Sequence, residues 1–318
     1  MRQLPSKQPR VSIIITSYSL ERLKDLCELL DSVKNQTYNN LETIVVAEGS
    51  DELLDRIGEY VSRKRMRNVQ VLFNDGKSGL SEGRNLGITK ATGEILAFAD
   101  DDVVLASDWA EEIAKTFSNN ESVIGLTGSA APLADDNSAT WLPKELDWLL
   151  SCTGWCEWKE IRDVRNVWGM NMAFAKEAFQ RCGLFPTTLG YHRGPMAEDI
   201  GFSMIVKTKT RKRIVFNPMV KVLHKVHGRL SWSFIAERAY WIGHSRRMIK
   251  VYFTEGSDDD VLSSEWELLH RIFTRLPKLF DSISGFTVTM LVLSCVGLGY
   301  LLPGLSPSRE ASPKHRAS

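Results

Sequence analysis

Three successive carboxylates, Asp100, Asp101 and Asp102, close the apolar run Ile95–Ala99. A short apolar run that ends in acids reads as a buried strand carrying those acids to the edge of a sheet. Open α/β sheets take their ligands at the carboxyl ends of their strands. Acids spaced i and i+2 there can hold a hard divalent cation, and such a cation neutralises a diphosphate. Helix starts also use acids, because an N-cap carboxylate accepts orphan amides. Asp108, just before Trp109, suits that role. Three acids in a row after an apolar strand point instead to a metal–phosphate site.

The elements that must position these acids are legible upstream. Val11–Ile15 and Leu41–Val46 are β-branched runs, and between them Leu23, Leu26, Leu29, Leu30 and Val33 fall on one helical face. Strand, helix and strand in that order form a right-handed βαβ unit and begin a parallel sheet. Val69–Phe73 and Ile95–Ala99 continue it, with Arg84–Thr89 as the helix between them. Residues 10–105 therefore read as a nucleotide-binding half. Residues 106–260 read as the acceptor half; after Gly125–Gly128 the alternation becomes irregular, and Trp141, Trp148, Trp155, Trp158 and Trp168 crowd together as they would in a pocket or an interface. Arg213–Pro218 and Val220–His224 read as two late strands, with Pro218 marking a bend or an edge.

A formal net charge of +1, from 40 Lys and Arg against 39 Asp and Glu, excludes the basic field of a non-specific nucleic-acid binder. Five scattered cysteines lack the paired spacing of a zinc site and suit reduced thiols in the cytoplasm. The polar residues 1–10 carry no secretory leader, so the catalytic body is expected to stay cytoplasmic. Residues 261–318 differ from the rest. Ile283 to Leu305 holds no charge and, at ~1.5 Å per residue, is long enough for the ~30 Å of a bilayer core. Glycines and Pro303 leave spanning and in-plane placements both open. Before it, Trp266, Leu269, Ile272, Phe273, Leu276, Leu279 and Phe280 recur at helical spacing, with Arg271, Arg275 and Lys278 on other faces. That pattern suits a helix lying on an anionic membrane, or a C-terminal helix pair packed on the domain. A polar tail follows Ser306.

Several segments together resemble the family 2 glycosyltransferases of the GT-A type, over about residues 10–250. Val11–Tyr18 resembles the family's first strand and nucleotide-contacting turn, which brings in Thr16 and Tyr18. Ile44–Asp51 resembles the second strand and loop, with Ala47-Glu48 where the family commonly has two Asp; Glu48 can still accept a hydrogen bond from a uracil imide. Gly79–Asn85 resembles the loop and helix start that approach the diphosphate, with Arg84 and Asn85 in the matching positions. Asp100-Asp101-Asp102 matches the metal-binding acids, and Gly169–Met172 with Phe174 the acceptor and sugar side. Glu198-Asp199 resembles the acidic pair whose Asp is the general base, and His224 the histidine that completes the metal site. Ser17–Arg22, Trp141-Leu-Pro, Trp148–Cys152 and Trp241–Arg246 are similar to archaeal enzymes that extend lipid-linked glycans for protein N-glycosylation, in particular glucosyl-dolichyl phosphate glucuronosyltransferases.

The resemblance implies a GT-A, Rossmann-like, mostly parallel sheet with flanking helices in residues 1–260. It also implies inverting transfer of a sugar, glucuronic acid among the candidates, from a UDP-linked nucleotide-sugar to a dolichyl or polyprenyl phosphate glycan. The enzyme would act at the cell membrane with its catalytic domain on the cytoplasmic side. Such a reaction needs a neutralised leaving group, for which Mn²⁺ or Mg²⁺ is the Lewis acid, a base for the acceptor hydroxyl, and an oriented donor. Asp102, Asp100 and His224 are assigned to the metal, Asp100 alternatively to the ribose, and Asp101 to the nucleotide. Asp199 is the base, with Glu198 orienting it or binding acceptor. Arg246, Arg247 and Lys250 suit either a solvated face or the acceptor's lipid phosphate. Without the resemblance, Glu198-Asp199 would equally open a helix, His224 would equally be a satisfied core or surface residue, and Trp148, Trp155 and Trp168 would be plain core, with a sugar-stacking role for any one of them as the alternative. Rival readings are a processive polysaccharide synthase, whose several membrane spans and Gln-x-x-Arg-Trp motif are missing, a metal-dependent sugar-nucleotide phosphohydrolase, and a non-catalytic binding protein.

Overall fold

The computed structural model describes residues 8–76, 79–134, 141–187, 198–253, 263–279 and 283–302. The first half alternates as its sequence pattern requires: β1 (Val11–Ser17), α1 (Leu23–Lys34), β2 (Leu41–Glu48), α2 (Asp51–Arg63), β3 (Val69–Asn74), α3 (Leu80–Lys90) and β4 (Ile95–Asp100). The Leu and Val positions singled out in α1 are its buried face: Leu26, Leu29, Leu30 and Val33. Ser50 starts α2 by accepting from the Leu53 amide at 3.3 Å. The helix expected at 84–89 begins earlier, at Leu80, because Gly79 serves as its N-cap.

The second half adds β5 (Val103–Leu105), α4 (Trp109–Ser118), β6 (Val123–Leu133), β7 (Arg162–Asp163), β8 (Asn171–Ala175), α5 (Lys176–Cys182), α6 (Glu198–Thr210) and β9 (Arg213–Lys225). Among the described residues all nine strands join one sheet in the order β3-β2-β1-β4-β8-β6-β9-β5, with β7 against β9. Pairing is parallel from β3 to β4, and β8 enters antiparallel to both β4 and β6. The architecture is thus the expected α/β sheet of GT-A type, mostly parallel and flanked by helices. One local expectation changes. The two late strands are a single strand, β9, and Pro218 sits in a bulge where pairing with β6 jumps from Gly128↔Asn217 to Ser129↔Lys221. Proline has no amide for the ladder, so the chain bows out there and resumes its register beyond it.

Two apolar layers cover the sheet. One packs β1, β2 and β4 residues such as Ile13, Val45 and Ala97 against Leu26, Ile57 and Trp109 of the helices. The other gathers Phe98, Phe174, Phe179, Phe185 and Phe202 on the opposite face. Asn171 fastens the centre: its Oδ1 accepts from Trp109 Nε1 at 2.8 Å, and its Nδ2 donates to Val220 O at 3.0 Å and Ser129 O at 3.2 Å. A fully buried amide satisfied on both ends holds β8 and the β9 bulge in one geometry.

A third core cluster lies beside the sheet, where α7 (Trp232–Phe253), α8 (Ser263–Leu279) and α9 (Ile283–Leu301) meet the 3-10 helix Lys144–Leu150. Helix α9 is long and apolar enough to cross a membrane by length and composition, but one face of it is spent on α7. A Cβ on Gly243 would stand 2.0 Å from Val296 O, and one on Gly299 1.9 Å from Tyr240 O. These glycines let the two backbones touch. Tyr240 Oη and Arg247 Nη1 then donate to Leu302 O at 2.9 Å and Tyr300 O at 3.2 Å, satisfying carbonyls at the end of α9. The amphipathic face expected on α8 divides: Ile272 is buried while Trp266 and Phe273 are exposed. Arg271 and Arg275 face Glu267, Glu145 and Glu157 of the protein itself. The side chains of Leu276, Lys278 and Leu279, together with residues 280–282 and 303–318, lie outside the described residues. Gly243→Val should destabilise the fold by ~1–3 kcal/mol through overpacking. A lowered melting temperature checks this, whereas Gly58→Ala, in open space on α2, should leave it unchanged or slightly raised.

Candidate active site

The parallel strands β1, β2 and β4 end at one edge, delivering Thr16, Glu48 and Asp100 side by side; Thr16 and Asp100 are direct partners across β1 and β4. A cavity of about 1240 Å³ opens at this edge. Thr16, Tyr18, Glu48, Arg84 and the three acids Asp100, Asp101 and Asp102 line it, and so do Glu198, Asp199 and His224. Asn85 does not. Its amide is spent on the backbone of Phe185, donating to the carbonyl and accepting from the N–H, each at 2.9 Å. It ties α3 to a segment a hundred residues away instead of facing the diphosphate.

Arg84 is the pivot of the cleft. Its buried guanidinium donates to Glu198 Oε1 at 2.5 Å, Asp100 Oδ1 at 2.9 Å and Gly169 O at 3.2 Å. It therefore holds the end of β4, the start of α6 and the turn before β8 together. Asp199, next to Glu198 and equally buried, accepts from the amides of Gly169 and Ile200, each at 2.8 Å. Burial pushes its carboxyl up to about 6; Glu198 adds to this, while Arg84 and the two amides oppose it. Glu198 and Asp199 open α6 as a helix N-terminus would, and they also face the cleft. Glu48 accepts from Gly79 N at 2.8 Å, so one of its oxygens steadies the start of α3. Burial raises that carboxyl as well.

Asp101 and Asp102 occupy the turn after β4 and are nearly inaccessible. Asp101 accepts from Ser17 Oγ and from Arg22 Nη1, each at 2.8 Å; burial nevertheless raises it to about 6, with Arg22 and Ser17 opposing. Asp102 Oδ2 takes Arg22 Nη1 at 3.1 Å and a very short contact from Arg229 Nη2. For Asp102 burial works against the charged form, but the positive groups around it, Arg229 and Arg22 among them, hold the carboxyl well below the usual range.

His224 shows which of its nitrogens is free for a ligand. Nδ1 stands 2.8 Å from Leu150 O, a carbonyl that can only accept, so Nδ1 carries the proton. In the neutral ring Nε2 is then an acceptor. It receives Arg229 Nη1 at 2.9 Å and cannot also donate to Asp102 Oδ1 at 3.2 Å. Asp102 Oδ1 is left buried without a hydrogen-bond donor. Two lone-pair atoms thus meet at a separation close to the ~3 Å between neighbouring ligands of an octahedral ion with ~2.1 Å bonds. These two residues fit a hard divalent ion. No group of three His, Cys, Asp or Glu that could hold a metal occurs among the described residues, so other ligands would come from substrate oxygens and water, the usual pattern for Mg²⁺.

The far wall of the cavity is aromatic, built from the Trp-rich stretch read as a pocket or interface, and it also carries Arg165 and Glu265, which sequence reasoning left without a role. Trp155 meets Trp158 edge to face, Trp168 packs tilted against Trp158, and Arg162 lies over Trp158 at 4.3 Å. Arg165 grips Glu265 of α8 with both terminal nitrogens at 2.5 and 2.9 Å, and Arg246 pairs with the same carboxylate at 2.5 Å. Of the three basic residues proposed to face a lipid phosphate, Arg246 thus lines the cavity and Arg247 is committed to α9. Arg22 stood inside a quoted motif, but its hold on Asp101 and Asp102 had no signal beyond charge. Arg229 had only its position just after His224 and Gly228.

The sequence profile described as glycosyl transferase family 2 matches residues 12–179. A glucosyl-dolichyl phosphate glucuronosyltransferase of Haloferax volcanii is 27% identical over 307 residues, covering 94% of this chain and 97% of the relative. Glycosyltransferase AglE of the same organism is 28% identical over 63% of this chain and 65% of its own. Among solved structures, a mannosyltransferase of Pyrobaculum calidifontis in complex with GDP-Man and Mn²⁺ superposes with a TM-score of 0.58 at 19% identity, over 94% of this chain and 78% of that one. Residues 1–349 of TarS from S. aureus superpose with a TM-score of 0.53 at 16% identity, over 92% and 81%. Both structures share the fold. Arg84→Ala would leave Glu198 buried without its cation, so stability should drop by ~3–5 kcal/mol. Arg84→Lys keeps the charge but not the three-way grip, and an intermediate loss in denaturant unfolding is the expected result.

Proposed function

The chain belongs to glycosyl transferase family 2 and transfers a sugar from a nucleotide-sugar, and on that premise we propose an inverting enzyme that glycosylates a lipid-linked glycan at a membrane surface. The observation that carries this reading is the shared cavity of Asp199 and the Asp102–His224 pair. Asp199, with a carboxyl near 6, is ionised at neutral pH and basic enough to draw the acceptor proton. Glu198 is spent on Arg84 and acts as a positioning residue. Asp102 and His224 would hold a divalent ion, Mn²⁺ or Mg²⁺, whose chemistry is to offset the charge of the departing diphosphate. Thr16, Tyr18 and Asp100 edge the donor side of the cavity. UDP is proposed from the resemblance of Ile44–Asp51, with the second oxygen of Glu48 as the imide acceptor. The dolichyl phosphate acceptor and glucuronic acid follow the Haloferax volcanii relative.

The placement of α9 favours an in-plane membrane hold over a span. Helix α7 runs against α9 and bears Glu237, Arg238, Arg246 and Arg247. A spanning α9 would draw those charges toward hydrocarbon, at ~2.5–3.5 kcal/mol or more for each basic residue. Lying in the interface, α9 offers the lipid its exposed Ile283, Leu298 and Leu301 while α8 adds Trp266 and Phe273. Five free thiols suit the cytoplasmic face.

Asp199→Asn keeps its shape but cannot take the proton at neutral pH, so turnover should fall by ~10²-fold or more with donor binding retained. The wild-type kcat/KM should climb with pH through about 6 as Asp199 loses its proton. The raised value means the folded state binds the proton more tightly than the unfolded chain, so this group's contribution to stability declines as pH rises between 3.8 and about 6. A flat rate profile, or loss of donor binding in Asp199→Asn, would move the base elsewhere. The membrane reading is checked separately. Replacing Ile283, Leu298 and Leu301 together by Ser should abolish co-sedimentation with anionic vesicles while hydrolysis of the sugar nucleotide in solution persists.

A further inference from the structure

Asp102 and His224 already share a cation. Arg229 reaches both: Nη2 contacts Asp102 Oδ2, and Nη1 lies 2.9 Å from His224 Nε2. The guanidinium uses the very lone pair on His224 that a metal would need. It also neutralises the carboxylate beside it. We infer that Arg229 is a placeholder cation, which competes with the divalent ion for Asp102 and His224 and must leave that pair when the ion binds. The inference rests on the reading that these two residues are the protein's ligands to the ion.

Three observations support it. The first is charge. Asp101 and Asp102 are matched by Arg22 and Arg229, so this end of the site is neutral with the arginines in place. A dication added on top would leave a buried excess of positive charge, which a low-dielectric cleft opposes strongly. Displacing one guanidinium relieves that. Arg229 is the one to move, because Arg22 has Asp101 as a second partner at 2.8 Å and loses less by staying.

The second is the donor chemistry. The proton on His224 Nδ1 is fixed by Leu150 O, so Nε2 is presented as an acceptor whichever cation occupies the site. Arg229 therefore exploits the tautomer that a metal also requires, and the ring need not turn when one replaces the other.

The third is placement. Arg229 does not stand on a strand or helix. It sits in the turn between β9 and α7, where its amide donates to Val226 O at 3.1 Å and Gly228 takes a φ of +67°. A left-handed glycine makes that tight turn possible and puts the long side chain at the lip of the cavity. The side chain is about one-fifth exposed, whereas His224 and Asp102 are almost fully enclosed. The guanidinium can thus withdraw outward by side-chain rotation, leaving the two ligands where they are.

The test is titration of the full-length protein with Mn²⁺ alone, followed by the electron paramagnetic resonance signal of the free ion. Wild type should bind Mn²⁺ weakly. Arg229→Gln, which frees both ligands without adding a charge, should bind at least tenfold more tightly; Arg229→Lys, which keeps a cation, should stay within threefold of wild type. Asp102→Ala should lose binding in every background. If Asp102→Ala abolishes binding but Arg229→Gln binds no more tightly than wild type, the ion site stands and the placeholder is refuted. If Asp102→Ala binds Mn²⁺ as wild type does, the ligand assignment fails and takes the placeholder with it. Thermal unfolding gives a readout independent of affinity. Without ion, Arg229→Gln should melt below wild type, because Asp102 has lost a partner, and Mn²⁺ should raise its melting temperature by more than it raises that of wild type. Equal shifts in the two proteins would overturn the competition.

Discussion

The architecture of the cleft depends on burying carboxylates at a sheet edge. Asp101, Asp102, Glu198 and Asp199 are each less than one-tenth exposed, and a carboxylate taken from water demands a cation or several hydrogen bonds. Arg84 answers for Glu198 and Asp100, while Arg22 and Arg229 answer for the pair beyond. Asp199 has no arginine of its own and relies on two backbone amides. Burial, with Glu198 beside it, raises its carboxyl to about 6 against the pull of Arg84 and the two amides. Asp101 rises as far even with Arg22 beside it, because burial outweighs that cation, whereas Asp102, reached by both Arg22 and Arg229, is held below the usual range.

Much of this was legible in the sequence. Apolar, β-branched runs and one helical pattern located β1, α1, β2, β3 and β4, because strands buried on both faces are written as nearly unbroken apolar runs. The acid triplet announced itself by following such a run. What could not be read was which acids pair with which arginines. Arg22–Asp101 and Arg84–Glu198 join residues far apart in the chain, and charge alone does not choose among 40 basic side chains. Asn85 illustrates the opposite failure: a motif position adjoining the cleft is turned away by two hydrogen bonds to Phe185. The same ambiguity hid the Pro218 bulge, since a proline between two apolar runs looks alike whether the strand ends or bows.

The C-terminal helices read as an appendage in sequence, yet in the structure they close the cavity. Glu265 of α8 holds Arg165 and Arg246, and Leu293 and Val296 of α9 face the same space as Trp241. A segment rich in Leu, Val and Gly looks the same in sequence whether it faces lipid or packs on a neighbour. Gly243 and Gly299 decide the matter only in pairs, since their value lies in where the two helices touch.

This arrangement ties α9 to the cavity wall by rigid packing. Exposed Leu298 is one residue from Gly299, which abuts α7, and α7 carries Trp241 and Arg246 into the cavity. Any force on α9 is therefore transmitted to the cavity wall through its backbone contact with α7.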